Sequence, residues 1–146
     1  MKKILVADDD FLQRDLYVEL FRAAGYEVIP ANDGQEAWEK AQSEYPDLLF
    51  TGIMMPRMTG FELIEKIRNN KALSPVPVII FSHLGREKDR DQAKMLSNVE
   101  FKVKGYDPPA DILDTAKTLL KNSERGMAHR PLQPMEEDDR PPANLF

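Results

Sequence analysis

Apolar residues gather in five short runs, Ile4 to Ala7, Tyr26 to Pro30, Leu48 to Thr51, Val76 to Phe81 and Val99 to Val103, with longer amphipathic stretches between them. Runs this short suit strands, and their alternation with helix-length segments predicts repeated βα units around a parallel sheet. The first, third and fourth runs carry no polar alternation, as strands covered on both faces do not need it. In the fifth, Val99, Phe101 and Val103 alternate with Glu100, Lys102 and Lys104, which predicts an edge strand with one wet face.

Helical spacing fills the gaps. Leu12, Leu16, Leu20, Phe21 and Ala24 share one face, and Gly25 follows where a helix would end. Asp33-x-x-Glu36 and Thr59-x-x-Glu62 have capping-box spacing, opening helices that bury Ala37, Trp38 and Ala41 in one case and Leu63, Ile64 and Ile67 in the other. Arg86 to Leu96 reads as a charged helix, and Pro108-Pro109 leads into a last one carrying Ile112, Leu113, Ala116, Leu119 and Leu120. The implied architecture is a three-layer α/β sandwich with five parallel strands and five helices.

Composition places a boundary on this pattern. After Ser123 the chain turns to proline (131, 134, 141 and 142) and to an acidic run from Glu136 to Asp139, so residues 1–123 read as the domain and 124–146 as a flexible tail. Within that tail Met127, Leu132, Met135, Leu145 and Phe146 are apolar enough to dock on a partner or on the domain. The 146 residues contain no cysteine, which excludes a disulfide scaffold, a thiolate zinc site and a cysteine nucleophile. No apolar run approaches the roughly 20 residues of a membrane span, and Asp8-Asp9-Asp10 interrupts the amino terminus too early for a signal peptide, so a cytoplasmic protein without membrane contact is expected. A net charge of −5 with scattered Lys and Arg argues against nucleic acid as a direct partner and for proteins or a cation.

Chemistry is expected at the strand ends, because open doubly wound sheets bind ligands beyond the carboxyl ends of their strands. Those ends carry Asp8-Asp9-Asp10, Gly52, Ser82-His83 and Lys104-Gly105. Carboxylates, a hydroxyl and an ammonium at one rim suit a hard divalent cation, Mg²⁺ first, together with an anionic ligand. Asp9 or Asp10 could also cap the first helix, and Lys104 could pair with Asp8 or Asp9.

Four motifs in order, ILVADDD at the amino terminus, PDLLFTGIMMPRMTGFELI in the middle, PVIIFS before the fourth loop and FKVKG before the last helix, resemble the receiver domain of bacterial response regulators over residues 1 to about 122. The resemblance implies a flavodoxin-like sheet of order 2-1-3-4-5 and phosphoryl transfer from a histidine kinase to an aspartate at the end of the third strand, assisted by Mg²⁺. It assigns the metal to Asp8, Asp9 and the backbone carbonyl of Met54, the phosphoryl or anion pocket to Ser82 and Lys104, and the switch aromatic to Phe101. His83, larger than the residue usual beside the hydroxyl, would narrow the entrance or donate to a bound anion. Two departures matter. Gly52 stands at the phosphoacceptor position and offers no attacking oxygen, while Asp47 lies at the wrong end of its strand to replace it. Gly105 stands where proline is usual after the lysine, so a trans bond is expected there.

The function implied is that of a stand-alone, non-enzymatic receiver of two-component signalling. It would act through protein contacts, with a histidine kinase among the candidate partners and a homodimer through helix four, strand five and helix five. It would not depend on aspartyl phosphorylation and would hold Mg²⁺ weakly. Two alternatives accompany it: a module that binds an anion or Mg²⁺ in the space beside Lys104 and Ser82, and a Gly52 variant of a conventional phosphoacceptor receiver.

Overall fold

The structure, a computed structural model, describes the backbone of residues 1–129 and the side chains of residues 1–123. The elements alternate as β1 (Lys3–Ala7), α1 (Phe11–Ala23), β2 (Glu27–Ala31), α2 (Gly34–Glu44), β3 (Leu48–Thr51), α3 (Gly60–Arg68), β4 (Val78–Ser82), α4 (Glu87–Lys94), β5 (Val99–Val103) and α5 (Pro109–His129). The strands form one sheet in the order β2-β1-β3-β4-β5, every neighbouring pair parallel. This is the flavodoxin-like doubly wound arrangement expected.

Alternate side chains of each inner strand enter different cores. Leu5, Ala7, Leu49, Val78 and Ile80 pack under α2, α3 and α4 with Leu63, Ile64 and Ile67. Ile4, Val6, Phe50, Ile79 and Phe81 pack under α1 and α5 with Tyr17, Phe21, Ile112, Ala116 and Leu120. Both faces are apolar, which is why these strands read as unbroken runs. The second core is built on aromatic rings, Tyr17 standing 4.8 Å from Phe50 and 5.1 Å from Phe81 between centroids. Each such side chain contributes about 1.5–3 kcal/mol on burial.

Several boundaries and faces differ from the sequence reading. Helix α1 turns away only the first part of the stripe expected inside: Leu12 and Leu16 are 70% and 55% exposed, with Phe11 beside them at 60%, whereas Phe21 is buried and Leu20 packs against the core as expected, joined by buried Gln13, Tyr17 and Val18. Two stripes one residue apart both have helical spacing, and the one with two aromatic rings covers more of the sheet. Strand β4 starts at Val78, since Pro75 and Pro77 carry no backbone N–H for the ladder. The Asp33 box is half formed: Asp33 accepts from the Glu36 amide at 2.8 Å, but the Glu36 carboxylate turns to the Asn32 amide at 2.6 Å. Thr59 and Glu62 form the reciprocal pair in full. Trp38 is only half-buried, with the Lys66 ammonium 5.9 Å above its ring. Helix α4 stops at Lys94, leaving Met95 86% exposed. Helix α5 continues to His129, past the Ser123 at which composition changes, and residues 130–146 of the expected tail lie outside the described residues.

At the amino ends of the strands Arg68, in the last turn of α3, ties two loops together. Its guanidinium donates to the carbonyls of Ser74 (3.0 Å), Val76 (2.7 Å), Ser97 (2.9 Å) and Asn98 (3.3 Å). Burial pushes its pKa down to about 10, still far above neutrality, so it stays charged and donating. Replacing it strips four carbonyls of their donor at once. Arg68→Ala is therefore expected to lower stability by about 2–4 kcal/mol in urea unfolding; a loss below about 1 kcal/mol would mean that water serves those carbonyls equally well.

Candidate functional site

The carboxyl ends of β1 and β3 lie side by side, and backbone bonds extend their register one residue further. The Gly52 amide donates to the Ala7 carbonyl at 3.0 Å and the Asp8 amide to the Ala31 carbonyl at 3.1 Å. A Cβ built on Gly52 would stand 3.8 Å from the Asp8 carboxyl carbon, with nothing closer, so position 52 faces Asp8 across an ordinary van der Waals gap. Its backbone lies outside the left-handed region, and conformation does not demand glycine there. The neighbouring glycines differ: a Cβ on Gly60 would collide with the Gly52 carbonyl oxygen, and one on Gly34 with that of Met58. These two contacts clamp the β3–α3 loop against the first turns of α2 and α3.

Asp8 is 3% exposed. Its Oδ1 accepts from the Asp10 amide at 3.0 Å and its Oδ2 from the Gln13 side-chain amide at 3.1 Å. Burial pushes its pKa above the usual carboxylate value, against the opposing pull of those two bonds and of nearby His83. Arg14 reaches back to the Asp8 carbonyl at 2.7 Å. Asp10, not Asp9, caps α1, accepting from the amides of Leu12 and Gln13. Asp9 is left exposed at the rim, with no side-chain hydrogen bond among the described residues.

The remaining rim residues divide between committed and free groups. Ser82 is 4% exposed, and its Oγ accepts from the amides of Leu84 (3.2 Å) and Gly85 (3.1 Å), which folds the β4–α4 loop over it. The Lys104 amide donates to the Ser82 carbonyl at 2.9 Å, fixing the backbone of the two positions together. The Lys104 ammonium itself is exposed and makes no hydrogen bond or ion pair among the described residues, so the pairing with Asp8 or Asp9 does not form. Gly105 follows at φ +83 through a trans bond. Exposed His83 places Nε2 3.4 Å from the Gln13 Nε2. Met55 and Met58 are buried at 8% and 6%, while Met54 stands out at 69%. Phe101 is half-buried against the α2–α4 core, with the Arg90 guanidinium 4.9 Å over its ring. Asp47 sits at the opposite end of the sheet, accepting from the Lys3 amide at 2.8 Å.

Gln13 is the site residue that sequence reasoning missed. Its signal was its place in the stripe it shares with Tyr17 and Phe21, where a polar residue must find a partner inside. The donor set as built makes a poor seat for a divalent cation. The two Asp8 oxygens face N–H donors, Gly52 supplies no side-chain oxygen, and no cluster of three or more His, Asp or Glu ligands occurs among the described residues.

A family model described as the response regulator receiver domain matches residues 4–117. The alkaline phosphatase synthesis transcriptional regulatory protein PhoP of Bacillus subtilis is 32% identical over 123 residues, which cover 84% of this chain and 50% of that protein. Among solved structures, the chemotaxis response regulator CheY4 of Vibrio cholerae is 29% identical with a TM-score of 0.75, over 82% of this chain and 98% of that one. A CheY-like receiver domain protein of Methanospirillum hungatei is 26% identical with a TM-score of 0.78, over 86% and 98%. The chain thus spans about half the length of the curated regulators it matches, and nearly all of the solved domains.

The contrast among the glycines can be measured by thermal or urea unfolding. Gly52→Ala should change stability by less than about 1 kcal/mol, because the methyl meets Asp8 and Ala7 at ordinary van der Waals distance and removes backbone freedom from the unfolded chain. Gly60→Ala should cost about 2 kcal/mol or more by forcing the loop off the helix. Equal effects would refute the packing described.

Proposed function

Because the chain belongs to the response regulator receiver domain family, whose members are signalling modules of two-component systems, we propose that it is a receiver in which Gly52 takes the phosphoacceptor position and whose signalling does not run through an aspartyl phosphate. The observation that carries this reading is the direction of Gly52. A side chain there would point at the Asp8 carboxyl from the end of β3, the place where a nucleophile would meet the acidic pair. Neither neighbouring oxygen substitutes for it. The Ser82 hydroxyl is held under the loop it organises, and the Asp8 carboxylate is buried beneath N–H donors.

Receiver domains interact with histidine kinases and other signalling proteins. For this chain the contact surface proposed is the face of α4, β5 and α5, which also serves a homodimer. Its support is the edge position of β5, where Phe101 lies under Arg90 and Met95 stands exposed at the end of α4. Phosphorylation would bias a two-state equilibrium at such a face; here the bias comes from the partner itself. The net charge of −5 favours a protein over nucleic acid as that partner. Mg²⁺, if offered, is held weakly by Asp8, Asp9 and the Met54 carbonyl, and it would supply charge neutralisation at an anion beside Lys104.

Intact-mass measurement after incubation with a small-molecule phosphodonor and Mg²⁺ tests the proposal. The parent should remain unmodified, and Gly52→Asp should gain one phosphoryl group. Labelling of the parent would identify another acceptor and overturn the reading.

A further inference from the structure

We infer that β5 is a strand-adding edge for a second copy of this chain: two β5 strands pair antiparallel about a two-fold axis at Phe101, and two five-stranded sheets become one continuous sheet. This seam rests on the homodimer proposed above for the face of α4, β5 and α5, and gives that homodimer its register.

The sheet ends in β2 on one side and β5 on the other, and the two edges are finished differently. On β2 the odd positions face β1, since the Glu27 amide donates to the Lys2 carbonyl and the Ala31 carbonyl accepts from the Asp8 amide. Val28 and Pro30 therefore face outward. Side chains close them: the Val28 carbonyl accepts from Arg22 at 3.4 Å and the Pro30 carbonyl from the Lys40 ammonium at 2.6 Å. Pro30 has no N–H, so only the Val28 amide stays open. On β5 the even positions face β4, as the Asn98 carbonyl accepts from the Val78 amide and the Lys104 amide donates to the Ser82 carbonyl. Val99, Phe101 and Val103 turn their amides and carbonyls to the open side. The β5–α5 turn closes Val103, whose amide donates to the Asp107 carboxylate at 2.8 Å and whose carbonyl accepts from the Tyr106 and Asp107 amides. Val99 and Phe101 keep theirs without a partner among the described residues. An edge left open in this way is a template for another strand.

Side chains decide which strand fits. Val99-Glu100-Phe101-Lys102-Val103 is its own complement when reversed, apolar on apolar and acid on base. With the axis at Phe101, that residue exchanges both backbone bonds with Phe101 of the second copy, and Val99 meets Val103. Each Glu100 then stands opposite Lys102 of the second copy, on the α5 side of the sheet. Neither side chain makes a hydrogen bond or ion pair among the described residues. Beside Glu100 a groove of about 320 Å³ runs along α5, lined in part by Glu100, Asp114, Thr115 and Thr118. Its two carboxylates suit an ammonium, and Lys102 of the second copy is the cation that the seam delivers. Moving the axis to Glu100 would engage more of the open backbone groups, but it would set Glu100 against Glu100 with both Asp114 carboxylates nearby. Like charges directly opposite each other destabilise a strand pair, so the axis at Phe101 prevails.

Sedimentation velocity of the full chain over a concentration series should show a monomer–dimer equilibrium. Glu100→Lys and Lys102→Glu should each weaken it at least about tenfold, by setting like charges opposite each other. Mixed in equal amounts, the two variants should recover the parent's affinity to within about threefold, because every Lys–Glu pair is restored in the mixed dimer. Hydrogen exchange on the parent alone reads the backbone: the Phe101 amide should exchange at least about tenfold more slowly in the dimer than in the dilute monomer, while the Val28 amide on the other edge stays unchanged. A parent that remains monomeric, variants that associate like the parent, a mixture no tighter than either variant, or a Phe101 amide indifferent to concentration would each overturn the seam. A dimer that ignores both charge changes and leaves the Phe101 amide unprotected would do so while keeping the face of α4, β5 and α5 as a homodimer contact. Phosphorylation of the parent would instead refute the proposed function and leave these affinity ratios unchanged.

Discussion

A carboxylate taken out of water at the end of an inner strand must be met by donors, and the first turn of α1 is arranged around that need. Asp8 receives the Asp10 amide on one oxygen and the Gln13 amide on the other, and Arg14 binds its carbonyl. Three consecutive turns of choice follow. Asp10 becomes the cap, Gln13 must face inward, and Tyr17 and Phe21, four and eight residues on, are carried to the same side. The rotation of the helix is thereby decided, and Phe11, Leu12 and Leu16 are left facing solvent. One buried charge thus acts together with the rings of Phe50 and Phe81 to set a rotation that apolar periodicity alone does not choose.

The fold was legible because each of its signals is local. Apolar runs covered on both faces, a complete Thr59–Glu62 box, a Gly25 at positive φ after α1 and alternation along β5 all act within a few residues. The order of chemistry-bearing residues along the chain likewise placed Asp8, Ser82 and Lys104 at one rim, since every strand of a parallel sheet ends on the same side. What was not legible depends on contacts between segments. The choice between two α1 stripes needed Phe50 and Phe81 from other strands, and opposite charge at one rim did not suffice to pair Lys104 with Asp8 or Asp9.

Glycine carries three different meanings in this rim. At Gly34 and Gly60 the hydrogen is obligatory, because carbonyl oxygens press against the place a Cβ would take. At Gly105 the backbone conformation is the reason, with φ at +83. At Gly52 neither holds. The absence of a side chain there is a chemical difference in a scaffold that has room for one, and the loop around it is kept in place by Gly34 and Gly60.

The order β2-β1-β3-β4-β5 has a kinetic consequence. β1 lies inside the sheet, and its partner β3 arrives only after α1, β2 and α2, so that Lys3 meets Asp47 across 44 residues. Closing such loops costs chain entropy before any core is formed, which slows collapse relative to a helical bundle of equal length. The first three strands already contain both partners of β1, whereas β4 and β5 add along a single edge. As the chain leaves the ribosome, its amino-terminal half can therefore assemble a three-stranded nucleus, and the half that bears Ser82 and Lys104 grows onto it.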